Sequence, residues 1–286
     1  MDFSHRLKSM GLGVSRAQTA TPGGAAVISP ALLVLGAMLS GAPAHAQLAE
    51  EFNPPRANCC LVNTARGLAD QLQDWNQLGR YHSANQQLKK QAVPANRVVF
   101  MGDSITDLWN LEQYFPGKPY VNRGIGGQTT PQMLVRMYPD VIDLKPAVVV
   151  LLAGINDIAR NTGPETAEMI QQNIMAMTEL SQLHGAKVIL CSLLPVSDYP
   201  FLRQQNAPSR LKMTESHPPA EILRLNAWIK DYAAKVNAIY TDYFSAFVDE
   251  RGWLKDAYSA DGLHPNAEGY KVMATVLSGS LQKSLP

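Results

Sequence analysis

The chain has 286 residues, of which 46% are hydrophobic and 17% charged; 25 Lys and Arg stand against 24 Asp and Glu, for a formal net charge of +1. Such a composition can bury one ample globular core. It lacks the basic excess that a nucleic-acid or anionic-membrane partner requires, so neither is expected.

Residues 1–46 read as an export signal. His5, Arg6, Lys8 and Arg16 form a basic leader, Ala25 to Leu39 is apolar and rich in small residues, and Ala44-His45-Ala46 has the A-x-A form that signal peptidase cleaves. Cleavage is expected before Gln47, which places the protein in the periplasm or outside the cell. Pro22, Pro30 and Pro43 interrupt the segment and count against a retained anchor, so no stable membrane span is expected in the mature chain. Cys59 and Cys60 are neighbours, and a bridge between them would strain the backbone. Cys191 closes an apolar run and reads as a small core residue.

Residues 47–95 are polar and rich in Gln and Asn. From Ala65 to Gln91 the texture is helical, with Leu68, Leu72, Trp75 and Leu78 near helical spacing. This predicts a helical lead-in, closed by Pro94, that packs on the edge of a domain spanning 96–286.

Within that domain strands and helices alternate. Strands are predicted at Arg97–Met101, Tyr120–Asn122, Ala147–Leu152, Lys187–Leu193 and Ala238–Asp242. Helices are predicted at about Pro131–Asp143, Glu165–His184, Ala220–Val236 and Asn266–Gln282, with Pro131 and Pro265 suited to first turns. Strands separated by helices imply right-handed crossovers and a parallel sheet covered on both faces. Continuous apolar runs such as Ala147 to Leu152 fit such a sheet.

In an open parallel sheet ligands bind beyond the carboxyl ends of the strands, so the residues just past each strand carry the functional signal. Gly102, Asp103 and Ser104 come after the first; alone they read as a turn and a helix cap. The second leads into Gly124-Ile125-Gly126-Gly127-Gln128-Thr129-Thr130, which is not the dinucleotide fingerprint but brings bare backbone N–H groups near a ligand. Gly154-Ile155-Asn156-Asp157 comes after the third, and Asp261-Gly262-Leu263-His264 lies on a loop beyond the fifth. Each fragment has an ordinary structural explanation by itself. Together they assemble a chemistry. A serine hydroxyl needs a base, and His264 fits; an aspartate three residues earlier can hold the imidazole in one tautomer. The oxyanion of an acyl-transfer intermediate needs donors, and the Ser104 N–H, the Gly127 N–H and the Asn156 side chain form one candidate set.

These blocks resemble the SGNH (GDSL) hydrolase family over about Arg97 to Leu277. Gly102-Asp103-Ser104-Ile105 is similar to its first block, Gly126-Gly127 with Thr129-Thr130 to its second, Gly154-x-Asn156-Asp157 to its third and Asp261-x-x-His264 to its last. The runs from Gly124 to Thr130 and from Ser192 to Pro195 look most like the branch that holds platelet-activating-factor acetylhydrolase catalytic subunits and bacterial carbohydrate acetylesterases. The resemblance implies a three-layer, flavodoxin-like α/β/α fold on a five-stranded parallel sheet. It implies ester hydrolysis without metal or other cofactor. It also implies Ser104 as nucleophile, His264 as base and Asp261 as its orienter, with Ser104, Gly127 and Asn156 as oxyanion donors. The expected substrate is a small or polysaccharide ester carrying a short acyl group. A lysophospholipase or thioesterase, an acyl transferase, and a non-catalytic carbohydrate-binding module remain alternatives. Asp103 and Asp157 read as supporting or capping residues, and Arg123 as a buttress of the glycine loop. His82 and His184 read as surface residues, and His217 sits in a Pro-rich segment, Val196 to Pro219, that either walls the cleft or forms a plain surface loop.

Overall fold

A computed structural model of the protein describes residues 67, 69, 72–204 and 212–285. The expected export signal, Cys59, Cys60 and Leu68 lie outside the described residues. In chain order the main elements are α1 (His82–Lys89), β1 (Val98–Gly102), α2 (Ser104–Asp107), β2 (Tyr120–Gly124), α3 (Thr130–Val135), β3 (Val148–Leu152), α4 (Ile155–Ile158), α5 (Ala167–Leu183), β4 (Lys187–Cys191), α6 (Pro219–Lys235), β5 (Ile239–Thr241) and α7 (Ala267–Ser284).

The five strands form one all-parallel sheet in the order β2-β1-β3-β4-β5. Every residue of β1 and β3 is buried, which is why their sequences are continuous apolar runs rather than alternating ones. The order reverses between β1 and β3, and at that switch point the crossovers leave in opposite directions and open a crevice. The helices obey local signals. Thr166 caps α5, which buries Ile170, Ile174, Met177 and Ser181 at helical spacing. Asn266 caps α7, which buries Tyr270, Met273, Leu277 and Leu281. Tyr270 stacks on Trp109, with ring centroids 5.7 Å apart, and closes an aromatic cluster over Phe100 of β1. No helix among the described residues is long and apolar enough to cross a membrane.

Three expectations need correction. The helix expected at Pro131–Asp143 is broken into Thr130–Val135, Met137–Asp140 and a short 3-10 turn at Ile142–Leu144. Pro139 has no N–H to give to the carbonyl one turn back, and its ring crowds that carbonyl. The strand expected to reach Leu193 ends at Cys191, because the Asn226 side chain takes both backbone groups of Leu193, at 2.7 and 3.0 Å. The lead-in is helical at residues 67, 69 and 72–73 and again at His82–Lys89, and between them the chain forms a tight turn. Asp74 accepts hydrogen bonds from the N–H groups of Leu78 and Gly79, both at 2.8 Å, and these close the turn. Around this turn Leu72, Trp75 and Leu78 are 86%, 45% and 41% exposed.

Candidate active site

The turn after β1 is shaped by close packing. Ser104 is the first residue of α2, and Asp103 caps the helix by accepting the Ile105 N–H at 2.9 Å. A Cβ on Gly124, at the end of neighbouring β2, would overlap the Asp107 backbone, so only glycine lets α2 sit against the sheet there. The Asp103 carboxyl is fully buried, and its second oxygen has no partner among the described residues; burial pushes its pKa up to about 7.

The histidine arrives on a loop before α7. Asp261 Oδ1 accepts the N–H groups of Leu263 and His264 at 2.9 and 2.8 Å, which bends the D-x-x-H stretch into a closed turn. Its other oxygen accepts from His264 Nδ1 at 2.6 Å, and Ser104 Oγ lies 2.9 Å from His264 Nε2. With Nδ1–H given to the carboxylate, Nε2 is left to accept the serine proton. Burial opposes the charge on Asp261, yet the hydrogen bonds from the His264 ring and backbone outweigh it and hold its pKa well below the carboxylate range. The same carboxylate bond raises the pKa of His264 against the opposing effect of burial, and the nearby charges of Asp261 and Asp103 add to the rise. Val196 to Pro219 supports this loop. The Ser197 N–H donates to the Gly262 carbonyl at 2.9 Å, which ties the start of that segment to the histidine loop. His217 is buried there, with Nδ1 3.3 Å from the Met213 carbonyl, and burial lowers its pKa.

The glycine loop lies beside Ser104: a Cβ on Gly126 would stand 3.7 Å from the serine Cβ. The Gly126 N–H is given to Asp107 Oδ2 at 3.1 Å, whereas the Gly127 N–H has no partner among the described residues. Gly127 has φ +77°, a left-handed conformation that glycine adopts without strain. Of the two glycines, Gly127 is the one whose N–H is without a partner among the described residues. The buried Asn156 donates one amide hydrogen to the Gln128 carbonyl at 3.0 Å and keeps the other. The Ser104 N–H is likewise unpartnered among the described residues.

Several residues that hold this site carried no signal in the sequence. Asn161 Nδ2 donates to Asn156 Oδ1 at 2.9 Å and to the Gly127 carbonyl at 3.2 Å, tying two of the expected donors together. It is placed by the end of α4. Asn161 N–H bonds the Asn156 carbonyl, Arg160 N–H bonds the Asp157 carbonyl, and Arg160 takes φ +62°, which is a Schellman termination. Arg136 is fully buried and reaches the Gly102 carbonyl at 3.1 Å, Gln128 Oε1 at 2.6 Å and Asp140 Oδ2 at 3.1 Å. It is the buttress of the glycine loop. Arg123, expected in that role, instead bonds Asn85 Oδ1 at 2.7 Å and steadies α1, because its strand position points it toward that helix. Asp157 accepts the Thr130 N–H at 2.9 Å and locks the second block to the third. Glu165 shares that corner, and burial, then the charge of Asp157, pushes its pKa up to about 7.

Fold and site define a class: parallel α/β proteins that present a serine, a histidine and an aspartate in hydrogen-bonded series at the switch point of the sheet. The chain belongs to the GDSL-like lipase/acylhydrolase family, whose model matches residues 100–272. It is similar to the crystal structure of a GDSL-like lipase from Bacteroides thetaiotaomicron, with 36% identity and a TM-score of 0.64 over 73% of this chain and 99% of that one. It is 31% identical to an uncharacterised lipoprotein, YqeF, of Bacillus subtilis over 35% of this chain, and spans 49% of that protein's length. It is 24% identical to an acetylxylan esterase of Geobacillus stearothermophilus, over 62% of this chain and 90% of that protein.

Proposed function

We propose that the protein is a serine ester hydrolase that removes short acyl groups, acetyl foremost, from a carbohydrate or another small ester. The observation that carries this reading is the series Ser104 Oγ, His264 Nε2 at 2.9 Å, and Asp261 at 2.6 Å from Nδ1. Ser104 Oγ attacks the ester carbonyl while His264 Nε2 takes its proton. The oxyanion so formed accepts from the Ser104 and Gly127 N–H groups and from Asn156 Nδ2. His264 then protonates the leaving alcohol as the C–O bond breaks, and Ser104 keeps the acyl group. Water, deprotonated by the same imidazole, releases the acid and restores the serine.

A short acyl group and a polar alcohol fit the surroundings. Among the described residues, the cavity of about 800 Å³ that meets the glycine loop is lined by one aromatic and no aliphatic side chain, poor company for a long acyl chain. The likeness to an acetylxylan esterase supports the same choice. A p-nitrophenyl ester series beside acetylated xylan tests it: acetate should be the best acyl group and octanoate among the poorest. Ser104→Ala and His264→Ala should each abolish turnover, and Ser104→Ala should also abolish labelling by a fluorophosphonate. Wild-type rates in either variant would refute the assignment; preference for long chains would point to a lysophospholipase or thioesterase. Export is proposed on the leader's pattern, and the secreted protein should begin at Gln47.

A further inference from the structure

We propose that the cavity beside the glycine loop is a subsite for a neutral pyranose ring of the substrate, with the Trp75 indole as its stacking platform. The proposal rests on the carbohydrate reading above and extends it to residues outside the four family blocks. The cavity holds about 800 Å³, within the ~300–1,000 Å³ of small-molecule sites, and it is shared by Gly126 and Gly127 on one side and the turn from Asp74 to Arg80 on the other. A ligand in it therefore touches the loop that offers the Gly127 N–H.

Trp75 is built into place. Its carbonyl accepts from Gln132 Nε2 at 2.6 Å, and the next carbonyl, that of Asn76, accepts from Gln128 Nε2 at 3.0 Å. Gln128 directly follows the two glycines and Gln132 lies in the first turn of the helix after them, so the segment that carries the Gly127 N–H also fixes the turn that carries the indole. The ring itself stays 45% exposed while its backbone is pinned. A large, partly exposed aromatic on an anchored backbone, beside a cavity with polar lining, is what a flat, partly apolar ligand needs. The two faces of a pyranose offer C–H groups for such a surface, and its edge offers hydroxyls.

The remaining lining suits those hydroxyls and disfavours charge. Gln77 offers a neutral amide with no side-chain partner among the described residues, and Gln132, Asn161 and Thr162 add neutral groups that are already partly engaged in the protein. Asp74 spends both carboxylate oxygens on backbone N–H groups, and Arg80 pairs with Asp107 at 3.3 Å. An anionic ligand would have to compete with Asp107 for Arg80, and the Asp74 carboxylate is already partly engaged by the backbone of the turn. Asp107 also holds the Gly126 N–H at 3.1 Å, so contacts at Arg80 bear on the geometry of the glycine loop.

The test compares Trp75→Ala and Trp75→Phe with wild type on acetylated xylo-oligosaccharides and on vinyl acetate, whose leaving group is too small to reach the cavity. The Gln132 contact is to the backbone, so truncating the ring leaves the turn anchored. The expected result is a rise in KM of about tenfold or more for the oligosaccharide in Trp75→Ala, a smaller rise in Trp75→Phe, and vinyl acetate kinetics within about twofold of wild type, the size of a lost aromatic contact. Unchanged oligosaccharide kinetics, or equal losses on both esters, would overturn the subsite while leaving the carbohydrate reading intact. Failure of the wild-type enzyme to deacetylate the oligosaccharide at all, with vinyl acetate still cleaved, would overturn the carbohydrate reading and this subsite with it.

Discussion

Replacing Asn161 by alanine removes an amide that joins two expected oxyanion donors, through bonds of 2.9 Å to Asn156 Oδ1 and 3.2 Å to the Gly127 carbonyl. Each neutral hydrogen bond is worth about 0.5–1.5 kcal/mol net, so the pair amounts to about 1–3 kcal/mol. If that ordering is felt mainly when charge builds on the oxyanion, kcat falls roughly 5- to 150-fold, at 1.36 kcal/mol for each factor of ten. The ceiling is the ~10²–10³-fold loss expected for deleting a donor outright, as in Asn156→Ala. Asn161 is exposed, so global stability should change by less than about 1 kcal/mol. Vinyl acetate is the substrate of choice, because its small leaving group keeps Asn161's position in the cavity lining out of the measurement. The decisive comparison is the double variant. If Asn161 acts through Asn156, the pair should lose little more than Asn156→Ala alone. Full additivity, or an Asn161→Ala effect confined to KM, would refute the positioning role.

Three other outcomes are expected of the same structure. The kcat/KM of the wild-type enzyme should rise with pH as His264 loses its proton, with a midpoint above the ordinary histidine value of 6.5; Asp261→Asn should lower both that midpoint and kcat, and an unmoved midpoint would show that the carboxylate does not tune the ring. Arg136→Met leaves Asp140 buried without its guanidinium and should cost about 3–5 kcal/mol, a fall in Tm of roughly 10 °C by calorimetry; a loss under about 1 kcal/mol would show that the buried ion pair is dispensable. Glu165 has its pKa raised from 4.5 to about 7 in the folded state, so the stability it contributes is complete below its unfolded value and is lost as pH rises through about 7. Glu165→Gln should therefore gain in Tm relative to wild type at pH 8 and match it near pH 4, and the opposite ranking would refute the buried acid pair.

The amino-acid sequence by itself determined the strands, the sheet class and the four blocks that converge on the cleft. Strand and turn preferences act over a few residues, and a parallel sheet brings the ends of all its strands to one edge whatever the details between. Thus Ser104 and Asn156 could be named from their places just past apolar runs, and His264 from the aspartate three residues before it, although 160 residues separate the first and last. The contacts that hold them could be decided only by the tertiary structure. Nothing local marks Asn161 as the tie between Asn156 and Gly127, because its reach depends on a helix terminating at Arg160 beside a loop from another crossover. Arg123 and Arg136 look alike as sequence, and only the packing of α1 and of the turn after β1 assigns one to the lead-in and the other to the glycine loop. Trp75 shows the same limit. Its spacing marks it as one of a helical series, but a carboxylate closing a turn one residue earlier interrupts that series and leaves the residue partly exposed. Periodicity records which side chains share a face; whether that face meets the core or the solvent is set by what the rest of the chain leaves room for.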